Sequence, residues 1–225
     1  MEKLNNLSAC LVCYNEDEVI RRTLECLSEL TDEIVVFDSF STDTTNDILK
    51  EFNCKIYQHE FDNHRDQKNR AIEKCTRDWI LLLDSDEYLD EKLMNNMKNM
   101  INNADGIDCF GVPRKNYLDG EGPTGFPDYQ SRIFRSYCRH WQHPFHHRTD
   151  GNAKKHIWTP DYGCIIHDKT WIRQERQNRL YYSLRPEDYS EVPRGAENIV
   201  VDKDTVKDLE NVNAYRDYLS KVKEL

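Results

Sequence analysis

Two aspartates one residue apart, Asp84 and Asp86, are the residues of this 225-residue chain whose types and spacing point most directly to chemistry. They follow Trp79-Ile80-Leu81-Leu82-Leu83, an apolar run typical of a buried strand. Carboxylates at such a strand end can face one cavity, where Mg²⁺ or Mn²⁺ commonly shares its oxygen ligands with substrate phosphates. The triplet therefore predicts a site for a divalent cation and a diphosphate-bearing ligand, although acidic chains also contain chance triplets of this kind.

Further polar residues follow other apolar runs. Asn15 and Glu16 come after a run over residues 7–14, and Asp38 follows Ile34-Val35-Val36-Phe37. Asp38 could accept the imide N–H of a pyrimidine base or a ribose hydroxyl, but an Asx turn or a helix N-cap explains it equally well. Lys68 opens a predicted helix and could offset phosphate charge, with a solvated surface lysine as the alternative.

These candidates need a fold that brings them together, and alternating strand and helix signals supply one. Strands are predicted over residues 7–14, 33–37, 55–58, 79–83, 107–112 and 131–134. Helices are predicted after Asn15, with residues 20, 24 and 27 on one face, and over 44–52, 66–75 and 93–101. The alternation of strands with helices predicts an α/β fold with a mostly parallel central sheet flanked by helices. Ligands of such sheets bind at the carboxyl ends of the strands, so the three polar clusters should share one edge.

Three other segments carry structural predictions. Asn15 is predicted to cap the first helix, with Glu18 three residues later as in a capping box. The stretch 120–127, rich in glycine and proline, is predicted to be a loop suited to acceptor binding. An amphipathic helix is predicted from residue 205 onward, packed on the body of the protein in preference to lying on a membrane.

Composition narrows the class of protein. The formal net charge of −10 excludes a nonspecific nucleic-acid binder, which needs a basic surface. We expect neither a signal peptide nor a transmembrane segment, because no run approaches about 20 apolar residues. Eight scattered cysteines, with Cys10 and Cys13 interpreted as core residues, favour a reducing, cytoplasmic compartment.

Four ordered motifs resemble those of family 2 glycosyltransferases, and the likeness is nearest to the bacterial branch that adds sugars to lipopolysaccharide cores. The motifs are 11–16 (LVCYNE), 32–43 (DEIVVFDSFSTD), 67–69 (QKN) and 78–87 (DWILLLDSDE). The likeness is strong over about the first ninety residues and thinner beyond them, where residues 128–135 (DYQSRIFR) still resemble the family.

The resemblance implies a GT-A fold, to which the amphipathic pattern near the C-terminus adds a helical extension. Residues 1–200 would form the glycosyltransferase domain, with 1–103 as its nucleotide-sugar half and 104–200 as its acceptor half, and 201–225 the terminal helix. The implied activity is metal-dependent transfer, with inversion, of a hexose-type sugar from a nucleotide-diphosphate sugar. A UDP-sugar is the favoured donor, and the acceptor is a hydroxyl of a glycan or glycolipid, which leaves room for peripheral membrane contact.

The resemblance also implies roles for individual residues. The nucleotide-sugar site would comprise Tyr14, Asn15, Glu16, Asp38, Lys68, Asp84 and Ser85. Asp38 would bind the base, Lys68 the base or phosphates, and Asp84 the ribose or the metal. Asp86 would be the firmer ligand of Mn²⁺ or Mg²⁺, joined by a later histidine. His167 is the candidate, after the strand-like Cys164-Ile165-Ile166, with a core or surface histidine as the alternative.

Inverting transfer also needs a base for the acceptor proton. Asp128, just after the turn-rich stretch, is the first candidate, and Asp119 and Glu121 are its rivals. Relatives often carry His-Glu after a Trp-led segment, whereas this chain has Trp141-Gln142-His143 followed by further histidines, so a histidine base stays open. Phe40 stands where relatives usually have a small residue, which leaves the choice of donor open.

Three other classes of protein compete with this interpretation. A catalytically silent nucleotide-sugar-binding or structural protein of the same fold is the main rival. A nucleotidyltransferase could also use paired aspartates, but no glycine-rich phosphate loop follows the first strand. A zinc protein is the third, and its candidate ligands are Cys138, His140, His143, His146 and His147.

Overall fold

The computed structural model describes residues 2–138 and 155–184. Its helices are α1 (Ile20–Leu30), α2 (Thr45–Glu51), α3 (His64–Lys74), α4 (Glu91–Asn102) and α5 (Trp171–Leu184). Its strands are β1 (Leu7–Cys13), β2 (Ile34–Asp38), β3 (Lys55–Gln58), β4 (Trp79–Leu82), β5 (Glu87–Leu89), β6 (Cys109–Leu118), β7 (Glu121–Arg135), β8 (His156–Trp158) and β9 (Ile165–Lys169).

In these two ranges the strands form a nine-stranded sheet of order β3-β2-β1-β4-β7-β6-β9-β5, with β8 beside β6. Strand β1 pairs in parallel with β2 and β4, and β2 in parallel with β3. The pairs β4–β7 and β5–β9 are antiparallel. The predicted α/β fold with flanking helices is confirmed: its first half is the parallel βαβ sheet, and its second half is mixed.

Apolar side chains cover both faces of the parallel strands. Alternate residues of β1 enter different clusters, with Ala9 and Leu11 packing against α1, α2 and α4, and Cys10 packing against α3. Burial on both faces explains why these strands appear in the sequence as continuous apolar runs. It also separates Cys10 from Cys13, which lie on opposite faces as buried free thiols, so the core interpretation of this pair is confirmed.

The turn-rich stretch 120–127 is not the predicted loop. Residues 121–127 begin the 15-residue strand β7, whose neighbour in the sheet is β6, and the chain reverses at Asp119 and Gly120. This part of β7 is exposed, so its side chains need no apolar partners. Glycine and proline are tolerated at such positions, where they would weaken a central, buried strand.

The predicted capping box at the start of α1 is also wrong. Helix α1 begins at Ile20 with Val19 at its N-cap and no side-chain capping hydrogen bond. Asn15 lies four residues earlier in a left-handed backbone conformation, with φ of 52°, which asparagine adopts more readily than most residues.

The chain divides into two compact units. The first comprises Met1–Tyr117 and Glu121–Asp168 and contains the parallel strands with α1 to α4. The second comprises Leu118–Gly120 and Lys169–Leu225 and contains α5. The helix predicted after residue 205 lies outside the described residues, and the domain limits at residues 103 and 200 stay predictions. No helix among the residues described here is long and apolar enough to cross a membrane.

Candidate active site

The strands β1, β2 and β4 end side by side. Their register pairs Cys13 with Asp38, and Cys10 with Leu82, so the segments that follow the three strands leave the sheet at the same edge. This edge carries Tyr14 to Glu16, the turn after Asp38, and Asp84 to Asp86. The predicted convergence of the three polar clusters is therefore confirmed by the strand register.

The loops after β1 and β2 are joined by hydrogen bonds. The backbone N–H of Asn15 donates to Ser41 Oγ at 2.8 Å, and its side-chain Oδ1 accepts from the backbone N–H of Thr42 at 2.8 Å. The Glu16 N–H donates to Thr45 Oγ1, also at 2.8 Å. These bonds fix the backbone on which Tyr14 and Glu16 are carried, while the nucleotide-lining roles of all three residues stay predictions.

Asp38 is completely buried and already well supplied with donors. Its carboxylate accepts from the Ser41 N–H at 3.1 Å, from Asn46 Nδ2 at 3.0 Å and from Gln58 Nε2 at 3.0 Å, and the Ser41 hydroxyl also donates to it. If Asp38 bound a nucleotide base directly, it would have to give up one of these hydrogen-bond donors. The structure thus favours the Asx-turn alternative, in which Asp38 shapes the loop that projects Phe40.

Both oxygens of Asp84 contact buried cations. Lys68 Nζ lies 2.6 Å from Oδ1, and Arg132 Nη2 lies 2.6 Å from Oδ2. Lys68 is only 2% exposed, so the surface-lysine alternative is wrong. Burial lowers the pKa of the Lys68 ammonium, with Arg132 acting in the same direction and Asp84 opposing it. Asp84 is therefore a less suitable metal ligand than the sequence indicated.

Three charged residues near Asp84 received no role from the sequence. Glu87 is fully buried, accepts from Arg132 Nη2 at 2.8 Å and from Arg114 Nη1 at 2.7 Å, and its other oxygen accepts from the Asp84 N–H at 3.0 Å. Burial opposes the charge of Arg132, but Asp84 and Glu87 outweigh it and raise the guanidinium pKa. We call the following six residues the buried charge cluster: Lys68, Asp84, Glu87, Arg114, Asp128 and Arg132.

A signal for the two arginines existed in the sequence. Asp128, Gln130 and Arg132 are spaced by two along β7 and therefore lie on one face of it, as Arg114 and Asn116 do on β6. The strand prediction covered only residues 131–134 of β7 and 107–112 of β6, so this alternation could not be used.

The structure brings together Asp86 and His167, two of the three predicted metal ligands. His167 Nε2 lies 3.3 Å from Asp86 Oδ2, and both side chains are largely buried, at 14% and 11% exposure. The pairing of β5 with β9 explains this contact. Glu87 is the register partner of His167, so the imidazole of His167 lies near Asp86, the residue just before β5. On its other side His167 Nδ1 lies 2.9 Å from Asn116 Oδ1.

An oxygen and an imidazole nitrogen at this separation fit a divalent cation that takes its remaining ligands from phosphate and water. In the described ranges no group of three or more histidine, cysteine, aspartate or glutamate side chains could hold a metal, so these residues would supply only part of the coordination shell. Of the proposed zinc ligands, Cys138 is buried and the four histidines lie outside the described residues.

Asp128, the predicted base, is held on both oxygens. Arg114 Nη2 lies 2.7 Å and Asn116 Nδ2 3.1 Å from Oδ2, and Gln130 Nε2 lies 2.6 Å from Oδ1. Burial would raise the pKa of this carboxyl, but the hydrogen bonds from Asn116 and Arg114 lower it overall. A low pKa makes a carboxylate a poor proton acceptor, so this geometry disfavours Asp128 as base, a role that stays a prediction.

Ser85 is buried and is not exposed at the carboxyl ends of the strands. It is 7% exposed, and its carbonyl accepts from the Thr23 hydroxyl of α1 at 2.8 Å. The residue therefore anchors the turn between Asp84 and Asp86 to the helix beneath it. Its predicted contact with the nucleotide sugar stays a prediction.

The model of the family described as glycosyl transferase family 2 matches residues 8–174. The chain belongs to this family. A curated relative, the lipopolysaccharide core biosynthesis glycosyltransferase LpsC of Rhizobium meliloti (strain 1021), is 32% identical over 123 residues, which are 52% of this chain and 45% of LpsC. The predicted likeness to the lipopolysaccharide-core branch is thus confirmed, and the chain spans less than half the length of LpsC.

Two solved structures share the fold. TarS of S. aureus in complex with UDP-GlcNAc superposes with a TM-score of 0.59 at 19% identity, over 73% of this chain and 58% of that one. The mannosyltransferase PcManGT of Pyrobaculum calidifontis, in complex with GDP-Man and Mn²⁺, has a TM-score of 0.53 at 14% identity, over 93% and 69%. These neighbours support the GT-A architecture.

Proposed function

We propose that this family 2 glycosyltransferase moves a hexose-type sugar, with inversion, from a nucleotide-diphosphate sugar to a hydroxyl of a glycan or glycolipid. A UDP-sugar is the favoured donor, Mn²⁺ or Mg²⁺ the cofactor, and the cytoplasm the expected compartment. The observation that carries the proposal is the approach of Asp86 and His167 to 3.3 Å at the strand edge that also bears Asp84. The ligands named for TarS and PcManGT are consistent with it.

The proposed step is a direct displacement. The acceptor oxygen forms a bond to the anomeric carbon as the bond from that carbon to the diphosphate oxygen breaks, and the hydroxyl proton passes to a base. A divalent cation would stabilise the negative charge that grows on the departing diphosphate. Asp86 and His167 would hold that cation, while the loops joined through Asn15 keep the nucleotide side of the edge in place.

The cations of the buried charge cluster have a separate part in this proposal. Lys68 and Arg132 neutralise Asp84, so the edge approached by the diphosphate does not carry two uncompensated carboxylates. Without this neutralisation, repulsion between Asp84 and the phosphates would weaken donor binding. Asp84, held in place by these two cations, would help to form the wall of the donor site. Asp86 would supply the negative charge that binds the divalent cation.

A thermal-shift screen tests the proposal. Protein freed of metal is melted with UDP-glucose, UDP-GlcNAc, UDP-galactose or GDP-mannose, each with Mn²⁺ or with EDTA. We expect one donor class to stabilise the protein only with Mn²⁺, by about 2.7 kcal/mol at a concentration 100 times its Kd. Nucleotide release is then measured with that donor, and stabilisation without either transfer or hydrolysis would favour the silent binding protein.

Substitution of the metal pair sharpens the test. Asp86→Asn should abolish the Mn²⁺-dependent part of the thermal shift, because it removes the carboxylate charge and keeps the side-chain shape. Asp32→Asn is the matched control, since Asp32 is 69% exposed in a surface pair with Lys3. An Asp86→Asn protein with an undiminished Mn²⁺-dependent shift would overturn the proposed metal site.

A further inference from the structure

Asn116 lies between His167 and Asp128 and contacts both through its side-chain amide. Its Oδ1 is 2.9 Å from His167 Nδ1, and its Nδ2 donates to Asp128 Oδ2 at 3.1 Å. An ionised carboxylate offers acceptors only, so the amide group that faces Asp128 must be the NH₂. The amide oxygen is therefore directed at His167, and the orientation of Asn116 follows from the charge of Asp128.

The orientation of Asn116 determines which ring nitrogen of His167 carries a proton. An amide oxygen only accepts, so Nδ1 must donate to it. In a neutral imidazole the lone pair then lies on Nε2, the atom 3.3 Å from Asp86 Oδ2. Histidine ligands of metals commonly have their second nitrogen fixed in this way by a neighbouring acceptor.

The supporting residues lie on three adjacent strands. Asn116 is on β6, Asp128 on β7 and His167 on β9, and the order β7-β6-β9 in the sheet makes them neighbours. Arg114, two residues before Asn116 on β6, holds Asp128 at 2.7 Å and is itself held by the fully buried Glu87. A row of side chains built on paired strands is more rigid than one carried by loops.

We propose that Asn116, oriented by Asp128, is a positioning residue that keeps His167 protonated on Nδ1 and directs Nε2 toward Asp86, and thereby sets the affinity of this pair for a divalent cation. The use of that cation in sugar transfer rests on the proposed function. The assignment gives Asp128 a positioning role in place of proton acceptance.

Mn²⁺ affinity measured by electron paramagnetic resonance on metal-free protein tests this assignment without any turnover. Asn116→Leu keeps the size of the side chain and removes both of its hydrogen bonds, and we expect Mn²⁺ affinity to fall 10- to 100-fold. Gln130→Leu is the control: it also removes a donor to Asp128, at 2.6 Å, but leaves the contact between Asn116 and His167. Its Mn²⁺ affinity should stay within about twofold of the original protein.

An exchange of the two side chains keeps the test decisive if Asn116→Leu fails to fold. Asp128→Asn alone frees the amide of Asn116 to turn over, so that Nδ1 loses its obligatory acceptor and Mn²⁺ should bind more weakly. Asn116→Asp alone keeps an acceptor at Nδ1 but sets two carboxylates 3.1 Å apart, and their repulsion should displace the new side chain and weaken Mn²⁺ binding as well. The double variant N116D/D128N restores an acceptor facing Nδ1 and a donor between the two residues. We expect its Mn²⁺ affinity to recover to within about threefold of the original protein.

The outcomes separate this inference from the proposed function. Unchanged Mn²⁺ affinity in Asn116→Leu, or no recovery in N116D/D128N, would overturn the positioning role even if the protein transfers sugar. The expected affinities in a protein that neither transfers nor hydrolyses any donor would support the positioning role and reject the proposed function. Absence of Mn²⁺ binding by the original protein at millimolar concentration, both alone and with UDP present, would overturn both.

Discussion

At the residue scale, the two aspartates of the Asp84-Ser85-Asp86 triplet have different surroundings. Asp84 is held between Lys68 and Arg132, whereas Asp86 lies beside His167. The sequence predicted the triplet and ranked Asp86 as the firmer ligand, but it could not reveal the neutralisation of Asp84. That neutralisation depends on Arg132, which lies 48 residues further along the chain and reaches Asp84 only because β7 pairs with β4.

Arg132 allows a direct test of the buried charge cluster. Arg132→Met fills a similar volume but leaves Asp84 with Lys68, and Glu87 with Arg114, as the remaining partners in the cluster. Loss of one partner from a buried ion pair destabilises strongly, so we expect the free energy of unfolding to fall by about 3–5 kcal/mol. Urea denaturation followed by circular dichroism measures this change.

Arg21→Met is the matched control for Arg132→Met, because Arg21 pairs with Glu51 at 2.8 Å with both side chains about half exposed. Exposed pairs of this kind contribute little to stability, so its denaturation midpoint should hardly move. Equal, small effects of the two substitutions would show that the cluster does not depend on Arg132.

At the element scale, prediction from the sequence worked best where strands are buried on both faces. The bounds of β1, β2 and β4 were predicted to within one or two residues. Strands buried on both faces are apolar at nearly every position, so they can be recognised from the local sequence alone. The exposed half of β7 was predicted as a loop because its glycines and prolines are typical of turns. Pairing with β6 overrides that local preference, and pairing partners are not visible in a single segment.

The turn before β9 offers a prediction about α4. Gly163 has φ of +117°, and a Cβ added there would lie 2.3 Å from the Leu93 backbone nitrogen and 2.5 Å from Asp90 Oδ1. Asp90 is the N-cap of α4 and accepts from the Leu93 N–H at 2.8 Å. Gly163→Ala should therefore disturb both the turn and the cap, with a loss of about 2–5 kcal/mol in the free energy of unfolding.

Gly106→Ala separates backbone strain from steric clash as causes of that loss in stability. Gly106 also has a positive φ, of +66°, but an added Cβ would meet no atom within 4 Å. Its substitution should cost only the backbone strain, about 1–2 kcal/mol. Thermal or urea denaturation of the two variants gives the comparison, and a Gly163→Ala protein no less stable than Gly106→Ala would contradict the predicted clash at α4.

At the scale of the whole molecule, two buried charged sites lie at opposite ends of the parallel strands. The buried charge cluster lies near the carboxyl ends, whereas Glu33 immediately precedes β2 at its amino end. Glu33 is 2% exposed and accepts from Lys55 Nζ at 2.6 Å, from the Thr76 N–H at 2.9 Å, and from the Ser8 hydroxyl. It therefore ties β1, β3 and the segment after α3 to β2.

The surroundings of Glu33 predict how the stability of the protein depends on pH. Burial would raise the pKa of Glu33, but the hydrogen bonds from Lys55, Ser8 and Thr76 outweigh it and lower the pKa to about 2. The unfolded value is about 4.3, so the unfolded chain takes up the proton first as the pH falls. The stabilisation from Glu33 is therefore complete above about pH 5 and is lost as the pH falls toward 2.

Glu33→Gln should remove this stabilisation. We expect the free energy of unfolding at pH 7 to fall by about 3 kcal/mol, and the variant to lose less further stability than the original protein between pH 5 and pH 2. Urea denaturation at several pH values measures both effects. In Glu51→Gln, the exposed control, the acid-dependent loss should match that of the original protein. A Glu33→Gln protein with the original pH dependence would show that other carboxylates govern acid unfolding, because only titration of Glu33 is removed by this change.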